Sequence, residues 1–374
     1  MTTRRDDIDA LRGAVMILMA LDHVRDFLSN ATVDPTDVAQ TSVALFLTRW
    51  ITHFCAPTFV CLAGVSARLL RERGRSVREV SWFLVTRGLW LVVLELTVVR
   101  LGWFFQLWAS TFVGQVIWAI GWSMVVLAGL VWLPVGAIAA IATVLVVGHN
   151  LLDGVVLPPG SPATAVWSVL HTGAPIVAGG LVFMPVYPLV PWPGVIALGY
   201  VIGGWLARGQ GRAVAWAGVV ATGGFVALRW FGAYGDPHAW VAQADWQRSA
   251  LAFLNTTKYP PSLAYLLMTL GPAFALLPAT LWLPARIRRT LVTFGRVPLF
   301  YYVLHLYLIH VVAIGAAAVA GYPMSEWLAR ATPFRRPPGS GYSLPVVYLA
   351  WASIVGVLYR PCRWFGDVKA RHRQ

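Results

Sequence analysis

The chain has 374 residues, of which 58% are hydrophobic and 12% charged, and its mean hydropathy is +0.67. Soluble globular domains carry about 25% charged residues, so this composition excludes a soluble particle and makes membrane lipid the natural solvent. The net charge of +14 falls in short basic clusters between apolar runs; that pattern speaks against a nucleic-acid partner and for positive-inside topology.

A spanning helix needs about 20 mostly apolar residues. Roughly ten such segments are predicted, near 10–29, 43–70, 80–104, 113–132, 134–150, 190–207, 213–231, 261–283, 292–319 and 343–360. The expected fold class is therefore all-α, a polytopic helix bundle forming a single transmembrane domain over 1–374. The 19 Trp and 12 Tyr suit membrane interfaces. The first segment lacks a small-residue cleavage site and keeps Asp22, His23, Arg25 and Asp26, so it reads as a retained helix rather than a signal peptide. Alternate connectors hold the basic residues: Arg4 and Arg5; Arg71, Arg73, Arg75 and Arg78; Arg208 and Arg212; Arg286, Arg288 and Arg289; Arg363, Lys369, Arg371 and Arg373. This predicts both termini in the cytoplasm of a multi-pass membrane protein. Arg330, Arg335 and Arg336 break the pattern in the last external loop.

A charge at the bilayer centre costs about 2.5–3.5 kcal/mol on insertion scales, which makes an intramembrane ionisable residue a functional candidate. The first helix carries Asp22, His23, Arg25 and Asp26. His23 lies about 21 Å along from Asp9, in the outer half. A carboxylate from Asp22 or Asp26 would orient His23 as a general base; Asp22 with Arg25 reads equally as an internal ion pair. The second segment carries Arg49 and His53 four apart on one face, and Pro57 predicts a kink just beyond. His53 and His23 are expected at comparable depth. Glu95 lies in an apolar run with Arg87 or Arg100 as the expected partner. His305 and His310 are five apart, about 140° round a helix, so they are not expected to face one site. The connector holding Lys258 and Tyr259 is rich in donors and reads as an acceptor pocket or as a helix-start turn. No spacing matches a metal site, and Cys55, Cys61 and Cys362 read as free buried thiols.

Two stretches carry a family likeness. Ile8-Asp9-Ala10-Leu11-Arg12-Gly13 leads into the apolar run ending Leu21-Asp22-His23. Later comes His53-Phe54-Cys55-Ala56-Pro57-Thr58-Phe59-Val60-Cys61-Leu62-Ala63-Gly64. The chain resembles, over roughly residues 4–230, the catalytic-domain family of heparan-alpha-glucosaminide N-acetyltransferase, in particular its bacterial members of undefined substrate, within the wider transmembrane acyltransferase superfamily; the resemblance implies a place in the bacterial inner (plasma) membrane. The resemblance implies an acyl group moved from cytoplasmic acyl-CoA to an acceptor at the far face. In the lysosomal enzyme a His in a His-x-x-Trp-Asn-Gly motif between the first two helices is associated with transfer. Here that stretch is Ser29-Asn30-Ala31-Thr32-Val33-Asp34-Pro35-Thr36-Asp37, without His or Trp.

The expected function is an integral membrane acyltransferase. Acetyl-CoA or another acyl-CoA would be co-substrate, and a glycan or other cell-envelope hydroxyl or amine the acceptor. Arg12, Arg68, Arg71, Arg286, Arg288, Arg289 and Arg296 would meet the CoA phosphates. His23, with Asp22 or Asp26, would act as base, and His53 or Arg49 would stabilise the developing charge. Lys258, Tyr259 and His305 would bind the acceptor. Membrane lipid and a second copy of the chain, as a homo-oligomer, are the other partners expected. The rival expectation is a proton-coupled transporter using the same His and Asp residues as a relay; a third is a non-catalytic membrane partner.

Overall fold

The computed structural model describes residues 5–107, 110–322 and 339–372. Arg4, Arg330, Arg335, Arg336 and Arg373 lie outside the described residues. The first helix, α1 (Asp6–Leu28), opens with Asp6, Asp7 and Asp9, whose charges complement the positive end of the helix dipole. Next come α2 (Val43–Thr52) and α3 (Cys55–Glu72). Ser42 starts α2 by accepting from the Leu45 amide at 3.2 Å. The break between α2 and α3 at His53 and Phe54 follows from Pro57. Proline has no N–H to give the carbonyl four residues back, and that carbonyl, on His53, accepts instead from the Tyr265 hydroxyl at 3.0 Å.

A Ser76–Glu79 capping box starts α4 (Val77–Leu94). It runs through a π-helical turn at Glu95–Val99 into α5 (Arg100–Phe104), which ends at Phe105 in a left-handed conformation, φ 48°. Then follow α6 (Val116–Leu130), α7 (Val135–Gly148), α8 (Pro162–Trp167), α9 (Trp192–Ala207), α10 (Gly211–Phe231), α11 (Trp246–Leu254) and α12 (Leu263–Ala275). The chain closes with α13 (Ala285–Arg296), α14 (Pro298–Val319) and α15 (Leu344–Arg371).

The protein is mostly helical, with one departure from an all-α class. β1 (Thr111–Val113), β2 (Ile176–Ala178) and β3 (Leu181–Met184) form a small sheet in the order β1-β3-β2, parallel between β1 and β3 and antiparallel between β2 and β3. Among the described residues, seven helices are long and apolar enough to cross a membrane. Two further apolar helices, α6 and α9, are shorter. The remaining expected segment, the first, is α1, which is apolar only between Arg12 and Asp22.

The expected connector with Arg286, Arg288 and Arg289 is itself helical: α13 is amphipathic and packs against α1. Their closest approach needs two glycines. A Cβ on Gly13 would collide with the Leu291 carbonyl oxygen, and one on Gly295 with that of Asp9. α3 meets α9 in the same way at Gly64 and Gly199. Small residues let backbones pack closely where lipid offers no hydrophobic drive.

Candidate functional site

Two cavities enter the bundle from opposite ends. The first, about 750 Å³, opens among the start of α1, the end of α3, the start of α4 and the end of α15. Arg5, Arg12, Arg73, Arg75, Arg87, Arg296 and Lys369 line it, against Asp9 and Glu79. Several of these cations are held by carboxylates: Arg12 to Asp9 at 2.9 Å, Arg75 to Glu79 at 2.7 Å, Arg296 to Asp6 at 3.5 Å. Deeper in, the walls become apolar through Met16, Leu84, Ile117 and Met124. Of the arginines expected to meet CoA, this cavity gathers Arg12 and Arg296. Arg68 pairs with Glu72 at 2.7 Å and covers the Tyr200 ring, and Arg71 donates to the Arg75 carbonyl at 2.9 Å. Arg286, Arg288 and Arg289 lie on α13 away from the cavity lining. Arg5, Arg73, Arg75, Arg87 and Lys369 join it instead. Arg73 and Arg75 were visible in the same cluster as Arg71, but which of them turned inward depends on how α3 ends.

The second cavity, about 560 Å³, lies at the other end of α1 and is lined by Asp22, His23, Asp26, Arg49, Lys258 and Tyr259, with Trp103 beside them. Asp22 is the hub of an ion-pair chain. It accepts from Arg49 at 2.7 and 2.5 Å and from Arg25 at 2.8 Å, and Arg25 reaches Asp26 at 2.6 Å. These carboxylates are engaged with guanidinium groups, so the orientation of His23 comes from elsewhere. His23 Nδ1 lies 2.8 Å from His305 Nε2, and the two rings are stacked with centroids 4.9 Å apart.

The partners settle the tautomers. His305 Nδ1 is 3.0 Å from the Tyr301 carbonyl oxygen, which only accepts, so Nδ1 carries the proton. His305 Nε2 is then an acceptor, His23 Nδ1 donates to it, and His23 Nε2 keeps its lone pair. Trp103 packs edge-on against His23 at 4.9 Å. His310 is turned away, its Nδ1 on the Gly102 carbonyl oxygen at 2.8 Å.

His53 does not converge on His23. It is buried against the Tyr265 ring, lines neither cavity, and has no hydrogen-bond partner on either ring nitrogen among the described residues. Glu95 likewise differs from expectation. Its carboxylate accepts from the Trp118 amide at 3.1 Å, in the first turn of α6, where helix amides have no partner of their own. Arg100 donates to the Thr111 carbonyl at 3.0 Å and lies over the Phe112 ring, and Arg87 lines the basic cavity.

The connector carrying Lys258 and Tyr259 is fastened by two residues that sequence reasoning passed over as site elements. Asp236 accepts from the Thr257 amide at 3.0 Å, the Thr257 hydroxyl at 2.7 Å and the Ser262 hydroxyl at 2.9 Å. Arg229, in the last turn of α10, donates to the carbonyls of His238, Ala252, Phe253 and Asn255. The signal was an arginine ending an apolar helix with an aspartate seven residues on. Lys258 sits over the Tyr259 ring at 5.1 Å, and Tyr259 meets Tyr187 edge-on at 5.4 Å. Burial and the neighbouring Tyr259 push the Tyr187 hydroxyl well above the usual phenol range. Burial alone would raise Tyr259 too, but Lys258 and Arg49 outweigh it and bring that hydroxyl below its ordinary value.

Met19, Phe59 and Val116 line both cavities. The two spaces therefore meet at these three side chains, and Met19 is one helical turn, about 6 Å, before His23.

A family model described as heparan-alpha-glucosaminide N-acetyltransferase, catalytic, matches residues 4–235. The match spans Asp22, His23, Asp26, Arg49 and His53 and ends before Lys258, Tyr259 and His305. No curated protein matches the chain.

Proposed function

The chain belongs to the heparan-alpha-glucosaminide N-acetyltransferase catalytic family, and from that premise we propose that it moves an acetyl group from cytoplasmic acetyl-CoA to a glycan or other envelope acceptor on the far side of the membrane. The observation that carries this reading is the pair of cavities entering from opposite ends and meeting at Met19, Phe59 and Val116, one turn from His23. The basic cavity faces the cytoplasm by the positive-inside rule. Arg12, Arg73, Arg87 and Arg296 attract the anionic phosphates of CoA there, and the apolar depth suits the arm that carries the thioester.

His23 is the general base. Its Nε2 takes the proton from the acceptor hydroxyl or amine as that atom bonds to the thioester carbonyl carbon. Arg49 and Lys258 supply positive charge near the tetrahedral oxyanion. As the intermediate collapses the C–S bond breaks, and protonated His23 returns its proton to the departing thiolate. His305 acts through His23: it fixes the tautomer and shares the positive charge that His23 acquires. Asp22 and Asp26 hold Arg49 and Arg25 in place.

The test uses full-length protein in proteoliposomes, labelled acetyl-CoA, and glucosamine or envelope glycans as acceptors. Label moves to the acceptor with release of free thiol, and His23→Ala lowers the rate by about 10²–10⁴-fold. Full transfer by His23→Ala overturns the assignment of the base. Uptake of solute with no thiol released overturns the acyltransferase reading in favour of a transporter.

A further inference from the structure

We propose that Met19, Phe59 and Val116 set the length of the transferred acyl group and restrict it to a short chain such as acetyl. This inference rests on the acyltransferase reading and adds to it the residues that exclude longer acyl chains.

The three side chains come from three different elements. Met19 lies on α1, Phe59 on α3 just past the break at His53 and Phe54, and Val116 is the first residue of α6. Met19 and Val116 are buried and Phe59 is half-buried. The Glu95 carboxylate on the Trp118 amide holds the start of α6, so Val116 is fixed in place. On one side of the trio lies the basic cavity; on the other stand Asp22, Arg49 and Arg25 in their ion-pair chain.

Transfer joins the acceptor oxygen or nitrogen to the acyl carbonyl carbon and breaks the C–S bond. The acceptor's proton passes through His23 to the leaving thiolate. That geometry puts the carbonyl beside His23. Any chain beyond the carbonyl then lies at the junction or in the far cavity. The far cavity holds the acceptor and charged groups, poor surroundings for an alkyl tail. The junction is apolar, but the arm that carries the thioester must itself pass there, between Met19, Phe59 and Val116, so these side chains leave no width for a second chain. A two-carbon acyl group needs neither space; a six-carbon chain needs one of these side chains removed.

The test compares acetyl-, butyryl- and hexanoyl-CoA with full-length protein in proteoliposomes, with glucosamine and envelope glycans as acceptor probes and thiol release as the readout. The wild type prefers acetyl-CoA. In Phe59→Ala, Met19→Ala and Val116→Ala the hexanoyl-to-acetyl ratio of kcat/KM rises by about tenfold or more, the discrimination one methylene carries in an apolar pocket. Val144→Ala, on the exposed side of α7, leaves the ratio alone. Phe59→Leu replaces Phe59→Ala if the alanine variant does not fold. Folded variants of all three residues with the wild-type ratio overturn the inference and leave the acyltransferase reading standing, as does a wild type equally active on hexanoyl-CoA. A wild type that releases no thiol from any acyl-CoA overturns both.

Discussion

Two histidines 282 residues apart in the chain share a 2.8 Å contact, and that contact sets the proton inventory of the site. Because the Tyr301 carbonyl oxygen accepts a hydrogen bond from His305 Nδ1, the uncommitted lone pair of the two rings is on His23 Nε2. His305→Ala removes this constraint, so thiol release falls by about 10²-fold or more with KM for acetyl-CoA unchanged, as expected for a group acting only in the transition state. His305→Gln, whose amide oxygen can accept the same hydrogen bond, recovers part of that rate. A purely structural His305 would show neither the split between kcat and KM nor the rescue. His23 and Asp22 stood out in the sequence because ionisable groups in an apolar run are expensive. The Asp22–Arg25 pair was also legible, since residues three apart on a helix are neighbours. The Asp22–Arg49 and His23–His305 contacts were not, because each joins different helices.

At the scale of elements, glycine pairs decide how closely helices approach. α1 carries His23, so the α1–α13 contact at Gly13 and Gly295 sets where the site begins. Gly13→Ala and Gly295→Ala each force a Cβ onto a backbone carbonyl that has no rotamer with which to yield. Each lowers the melting temperature and folded yield in detergent, at the upper end or above the about 1–3 kcal/mol usual for overpacking. Gly129→Ala, with open space around its Cβ, matches wild type in the same assay. The Pro57 break was readable from proline chemistry alone. The partner of Glu95 was not: the sequence offered arginines of its own helix, whereas the structure supplies the amide-rich start of α6. The basic run 286–289 looked like a loop because its polar residues interrupt an apolar pattern, yet their spacing also fits an amphipathic helix, which is what forms once α1 covers its apolar face.

The whole molecule is asymmetric in charge along its long axis, with basic side chains around one cavity and a mixed, internally paired set around the other. By the positive-inside rule this asymmetry predicts an orientation with the basic cavity on the cytoplasmic side. The three native cysteines are buried, so a cysteine placed at an exposed position reports its own side. In right-side-out vesicles a membrane-impermeant maleimide labels Ala244→Cys, whereas Arg286→Cys reacts only after the membrane is permeabilised. The reverse pattern would invert the orientation and the direction of transfer. The sequence by itself determined that the chain is a helical membrane protein, because hydropathy, charge spacing and proline position act locally and survive without the fold. It also marked His23 as a residue that must have a purpose. Only the tertiary structure decided that His305, rather than a neighbouring carboxylate, orients it, and that two cavities meet at Met19, Phe59 and Val116. Such pairings depend on helices far apart in the chain packing side by side, and no local pattern encodes which face meets which.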